Sequence, residues 1–263
     1  MRDDQFFKGT PRIRLDMADE PIEFPILYYD LRMISGTFTV KTKKLKKLLP
    51  HPNIMPIEIL PGIGAFTIAA LEYRDTSIGP YNEIAICVPV KFPPKFVFPP
   101  LSAISMMLRN SYSVYIHHLP VTTETACKVG IHFFNYPKFL AGITFQDQGE
   151  KLEVTLREND EPILKLHAEK LPSRQSVQTE FHTYSIKENV VMHTLIEGSA
   201  LRYRLKMAGK ADLELGNHRI SREIAGLNLS KKSLAAQHVD GMMTKLYAPD
   251  QRWDVNTLAV VSD

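Results

Sequence analysis

Cysteine is scarce in this chain. There are 2 in 263 residues, Cys87 and Cys127. They form no CxxC pair, which argues against a disulfide-stapled scaffold and against a thiolate metal cluster. Cys87 sits in the apolar run Ile84-Ala85-Ile86-Cys87-Val88 and reads as a small buried hydrophobe. Charge of one sign is lacking too. The 32 basic and 29 acidic residues leave a net charge of +3, too small an excess to point to nucleic acid. No apolar stretch approaches membrane-spanning length. The opening Met1-Arg2-Asp3-Asp4-Gln5 leads into no apolar h-region, so no secretory signal is expected. Repeats and low-complexity linkers are also missing. The expectation is one domain over residues 1–263, cytoplasmic, with no membrane and no nucleic-acid partner. Hydrophobic residues make up 44% of the chain, enough to bury a full core at this length without metal or disulfide help.

The residues that are present favour strands. Phe66 to Tyr73 and Glu83 to Val90 are rich in β-branched and apolar side chains, and the turn formers of residues 74–82 separate them. Ser111 to Ile116 alternates. Lys151 to Leu156 has period two, and Pro162 to His167 returns after the turn Glu158-Asn159-Asp160-Glu161. Glu180 to Ser185, Val190 to Ile196 and Ala200 to Lys206 continue the series. Helices are few: Thr42 to Leu49, stopped by Pro50, then Thr123 to His132 and Ser221 to Leu227. The proline cluster of residues 92–100 reads as a stiff, ordered crossing. The fold class expected is mainly β with a few short helices (β or α+β), an antiparallel meander closing into a barrel. Edge strands of such a meander favour pairing with another subunit.

Most chemistry is excluded by spacing. None of the 9 histidines falls in HExxH or another zinc pattern. His117 and His118 are adjacent, so in a regular strand they face opposite ways and cannot share an ion. His167-Ala168-Glu169 starts like a deaminase motif, but no PCxxC follows. Pro61-Gly62-Ile63-Gly64-Ala65-Phe66-Thr67 begins like a dinucleotide loop, but Thr67 replaces the third glycine. There is no Walker A sequence and no GxSxG. No metal and no cofactor are expected.

Two segments stand out. In Gly79-Pro80-Tyr81-Asn82-Glu83 a carboxylate opens an apolar strand. In Phe133-Phe134-Asn135-Tyr136-Pro137-Lys138-Phe139-Leu140 a lone lysine sits among aromatics. Read blandly, the glutamate is solvated and the lysine snorkels to water. Taken together, in this order and at this separation, they resemble the acetoacetate decarboxylase family. Gly79 to Glu83 is similar to that family's G-x-Y-x-E motif, and Tyr136-Pro137-Lys138 to its Y-P-K motif. Residues 226–232, Gly-Leu-Asn-Leu-Ser-Lys-Lys, have the flavour of some members. The likeness runs from about Arg32 to Leu246.

The resemblance implies a closed barrel with a central pocket, an oligomer, and a Schiff-base lysine at Lys138 acting on a small keto-acid substrate. Glu83 would orient the substrate or relay protons. Tyr81, Phe139 and Thr67 would line the substrate, and Arg32 would bind its carboxylate. An ion pair at the surface is the equal alternative for Arg32. An amine attacks a ketone only as the free base, and a solvated lysine is almost wholly protonated at neutral pH. Burial penalises the ammonium. Phe139 stands where the best-known members carry a second lysine, so activation here would fall to desolvation. Thr67 stands where they carry a further glutamate, and a threonine is no carboxylic acid. These departures keep three readings open: decarboxylation of a β-keto acid, aldol condensation and dehydration of 2-oxo acids with the same lysine, or a barrel that binds a small ligand without turning it over.

Overall fold

The computed structural model describes residues 4–17, 20–94, 98–99, 101–170, 175–207 and 210–261. Seven strands close into a barrel. They are β1 (Ile26–Lys41), β2 (Ile63–Thr76), β3 (Tyr81–Lys91) and, after helix α1 (Leu101–Arg109), β4 (Ser111–Val121). Helix α2 (Glu124–Phe134) and the short strand β5 (Lys138–Leu140) follow. Next comes a hairpin layer, β6 (Gly142–Gln148), β7 (Lys151–Glu158) and β8 (Glu161–Glu169). The barrel resumes with β9 (Gln175–Lys187) and β10 (Val190–Met207). Strand β11 (Ala211–Leu215), helix α3 (Arg219–Leu227) and β12 (Ala235–Leu246) complete these elements.

The ring runs in chain order, β1-β2-β3-β4-β9-β10-β12, and β12 returns to β1. Every neighbouring pair is antiparallel except β4 and β9, which are parallel. An odd ring cannot alternate direction all the way round, so one parallel seam is a geometric necessity. A parallel pair cannot be joined by a hairpin and needs a long connection. Here that connection carries α2, β5 and the layer β6-β7-β8, which β11 extends to four strands.

Two cores result. Outward-facing Ile34, Phe66, Ile68, Ile84, Ile86 and Val88 pack against Leu152, Val154, Leu164 and Leu166 of the outer sheet and Ile224 of α3. Inward-facing Leu31, Met33, Tyr73, Tyr81, Ile116 and Leu119 belong to the second core, around the lumen. Strands β1 to β3 are therefore covered on both faces, and β2 and β3 read largely as apolar runs.

The mainly-β barrel matches the expected class. The expected strands are longer in the molecule, and Val190 to Ile196 joins Ala200 to Lys206 in one strand of 18 residues. Helices α2 and α3 fall where they were expected, whereas only Thr42–Leu45 of the lysine-rich segment is α-helical. In the proline-rich crossing, residues 95–97 and 100 lie outside the described residues. Among the described residues no helix is long and apolar enough to cross a membrane.

Candidate active site

Two local structures bring an amine and a carboxylate into the lumen. The first is the turn into β3. Gly79 has a φ of +89°, a left-handed conformation that strains any side chain. Thr76 holds the turn: its Oγ1 donates to the Gly79 carbonyl at 2.6 Å and accepts from the Ile78 N–H at 3.1 Å. Strand alternation then sends Tyr81, Glu83, Ala85 and Cys87 inward, with Ile84, Ile86 and Val88 outward.

The second is the exit from α2. Thr123 caps its N-terminus by accepting from Ala126 N–H. Asn135 ends the helix at φ 48° and donates from Nδ2 to the Ile186 carbonyl at 2.6 Å. The chain turns through Pro137, and β5 docks parallel on β4 with Lys138 opposite Leu119. The Lys138 side chain lies across α2 at Gly130, where a Cβ would overlap Lys138 Cδ and Cε.

Lys138 Nζ donates to Glu83 Oε2 at 2.7 Å, with the two side chains 6% and 9% exposed. Tyrosines surround the pair. Tyr73 Oη donates to Glu83 Oε1 at 3.2 Å, and the Tyr81 ring centre is 5.6 Å from Lys138 Nζ. Tyr28 and Tyr81 share a hydrogen bond of 3.0 Å between hydroxyls, and Tyr136 Oη meets Thr183 Oγ1 at 2.5 Å. Burial, reinforced by the Glu83 charge, lifts all four phenols above their ordinary range. They stay neutral O–H groups at physiological pH. Burial also pushes the Cys87 thiol up to about 12, in keeping with a packing role.

The pair opens onto a cavity of about 270 Å³. Tyr81 and Thr67 line it. Thr67 is remote from the amine, however. Glu83 pairs with Leu71, and Thr67 lies four residues further along β2, roughly 13 Å at about 3.3 Å per residue. Its hydroxyl meets that of Thr37 at 2.9 Å.

Arg32 and Phe139 require correction. Leu31 and Met33 face the cavity, so Arg32 between them faces out. There its Nε donates to Glu72 Oε2 at 2.9 Å, its guanidinium lies 3.9 Å from Asp147, and Phe145 sits beneath it at 5.6 Å. The ion-pair alternative describes Arg32, and it reaches no substrate in the lumen. Phe139 follows inward-facing Lys138 and by the same parity packs into the outer core. Apart from Tyr81, the tyrosine cage was missed from sequence. Tyr73 and Tyr81 flank the turn visibly, but Tyr28 comes from a strand that sequence reasoning did not identify.

The adjacent histidines also depart from expectation. The β3–β4 register shifts between Ile86 and Cys87, with Ile86 opposite His118 and Cys87 opposite Ile116. This bulge puts two residues where one belongs. Ile116 and Leu119 both face the cavity, and His117 and His118 both turn outward to the Glu223 carboxylate on α3. Their donor atoms lie within 4.8 Å of one another, and they form the cluster of metal-ligand type among the described residues. It stands outside the lumen.

Burial works against the Glu223 charge, but hydrogen bonds from His117 and His118 outweigh it and hold its carboxyl below the ordinary range. Burial, then the neighbouring His117, lowers His118. Both groups bind protons less readily folded than unfolded, so stability falls with falling pH. The His118 part is lost from about pH 6.5 downward, and the Glu223 part from about pH 4.5 downward. Below about pH 4.5, where the Glu223 part is lost, urea unfolding is expected to show a flatter acid limb for Glu223→Gln; an unchanged slope there would contradict the assignment.

Fold and site together define a closed barrel whose lumen holds one amine against one carboxylate inside a ring of neutral phenols. A family model described as acetoacetate decarboxylase (ADC) matches residues 14–258, and the chain belongs to that family. Among solved structures, an acetoacetate decarboxylase has a TM-score of 0.62 at 18% identity, covering 100% of this chain and 99% of that one. The acetoacetate decarboxylase from Legionella pneumophila has a TM-score of 0.56 at 16% identity, covering 99% and 95%. The enduracididine biosynthesis enzyme MppR has 0.55 at 10% identity, covering 89% and 90%. At these identities the likeness is one of fold. No curated protein sequence matches the chain.

Proposed function

We propose that the chain is a Schiff-base lyase that decarboxylates a β-keto acid through an imine on Lys138. The observation that carries this reading is the buried Lys138–Glu83 contact of 2.7 Å, facing the barrel lumen. A lysine desolvated in an apolar pocket is one arrangement that amine nucleophiles use, and the Lys138 side chain is 6% exposed. Acetoacetate decarboxylase is itself the standing example of an activated lysine, with a second cation beside it; with Phe139 in that place here, activation falls to burial. The mechanism therefore follows the family, and only the residues are particular to this chain.

Glu83 accepts a proton from the Lys138 ammonium, and the free amine adds to the ketone carbon. Loss of water leaves an iminium. The bond from the α-carbon to the carboxylate breaks, carbon dioxide leaves, and the electron pair passes into the iminium to give an enamine. Glu83, whose first proton left with the water lost in forming the iminium, relays a proton from solvent water to the α-carbon, and water then hydrolyses the imine to free ketone and lysine. The apolar lining favours the carboxylate-to-carbon-dioxide step, since a charge that the wall solvates poorly becomes a neutral molecule.

Treatment with acetoacetate and borohydride is expected to add a stable mass to Lys138, and Lys138→Ala should show none. Equal masses for both proteins would end the proposal. The same enamine could instead attack an aldehyde. That second reading draws support from the fold shared with MppR, which has been captured with the condensation product of pyruvate and imidazole 4-carboxaldehyde. Pyruvate with an aldehyde, followed for a conjugated product, separates the two.

A further inference from the structure

We infer that the lumen beyond Lys138 and Glu83 is a binding site for a long apolar tail, so that the substrate class is a keto compound carrying an extended alkyl or acyl chain. The inference rests on the lysine reading for its chemistry but on the barrel wall for its binding.

Length is the first observation. Glu83 stands opposite Leu71, while Thr67 and Ala65 of the same strand still line the cavity. Six residues separate Leu71 from Ala65, roughly 20 Å of strand at about 3.3 Å per residue. Volume is the second. The cavity of about 270 Å³ equals roughly nine waters at about 30 Å³ each, far more than the four-carbon skeleton of acetoacetate fills.

The character of the wall is the third. Met33, Ala69, Ala85, Val114, Phe181 and Ile196 converge on the space from six barrel strands. Apart from tyrosines and Cys87, the ionisable side chains among its described lining are Lys138 and Glu83 alone. Arg32, the cation that would have held a short acid, faces the other way. A small charged substrate would thus leave most of the lumen empty, whereas a chain of methylenes matches it. At the far end Met106 and Met107 of α1 line the same cavity, and unbranched thioether side chains adapt to tails of differing length.

Two series of ligands test this on the wild-type protein. Straight-chain primary alcohols of four to ten carbons cannot form an imine, so their affinity reads the tail site alone. It is expected to rise by up to about fourfold per methylene, and Ala69→Phe, which fills the lumen midway, should make that rise level off at a shorter chain. A flat series would overturn the inference, as would a rise that Ala69→Phe leaves untouched. The 3-oxo acids of the same lengths, followed by carbon dioxide release and borohydride trapping, read the lysine chemistry. A rising alcohol series without any trapping or release would keep the tail site and sink the Schiff-base reading. Trapping of every 3-oxo acid with a flat alcohol series would do the reverse.

Discussion

Gly130→Ala is expected to remove most activity although Gly130 itself does not line the cavity. In an open helix this change is favourable, by about 0.5–1 kcal/mol. At Gly130 the new methyl would fall on Lys138 Cδ and Cε. Overpacking of this kind costs about 1–3 kcal/mol, so the unfavourable effect wins and the protein should be destabilised. The easier relief is movement of the lysine, which pulls Nζ away from Glu83. A displacement of about 1 Å at a reacting centre can cost on the order of 100-fold in rate. The check pairs kcat for β-keto acid turnover with borohydride trapping. Gly226→Ala on α3 is the control: nothing lies within 4 Å of its added Cβ, so it should gain stability and keep full activity. Equal behaviour of the two variants would show that Gly130 does not guide the lysine.

Lys138→Met is expected to have the largest effect on stability of any single change at the site. The substitution removes the amine and leaves the Glu83 carboxylate 7% exposed, without the cation that Lys138 supplied. Breaking a buried pair from one side costs about 3–5 kcal/mol. Removing both charges is a different matter, since the desolvation cost of the surviving ion disappears as well. Lys138→Met combined with Glu83→Leu should therefore recover most of the lost stability while remaining inert to borohydride trapping. Urea unfolding of the single and double variants decides this. If the double variant were as unstable as the single one, the site would owe its stability to shape rather than to charge pairing.

These expectations show how far the sequence could be read. Glu83 and Lys138 were legible through the family likeness of the two motifs that hold them; the residues alone read as a solvated glutamate and a snorkelling lysine. Strands β2 and β3 were legible as apolar runs. Strand β1 was not, because Asp30, Arg32, Ser35, Gly36 and Thr37 break up its apolar run without a regular alternation. Without β1, neither Tyr28 nor the outward parity of Arg32 could be deduced. Phe139 misled for a related reason: adjacency in sequence suggested a shared pocket, whereas a strand sends neighbours to opposite sides. The opposite error arose at His117 and His118, where strict alternation was assumed and a bulge cancelled it. Helix α1 was hidden behind the prolines that precede it.

The number of staves in the barrel has a chemical consequence. An even ring could close with nothing but hairpins, and its interior would hold only side chains from the wall itself. Seven staves require one long excursion of the chain, and it is this detour, anchored at α2 and β5, that delivers Lys138 to the interior. The nucleophile is thus carried by an insert rather than by the ring, so the detour can be altered in length or sequence while the wall that defines the ligand's shape stays as it is.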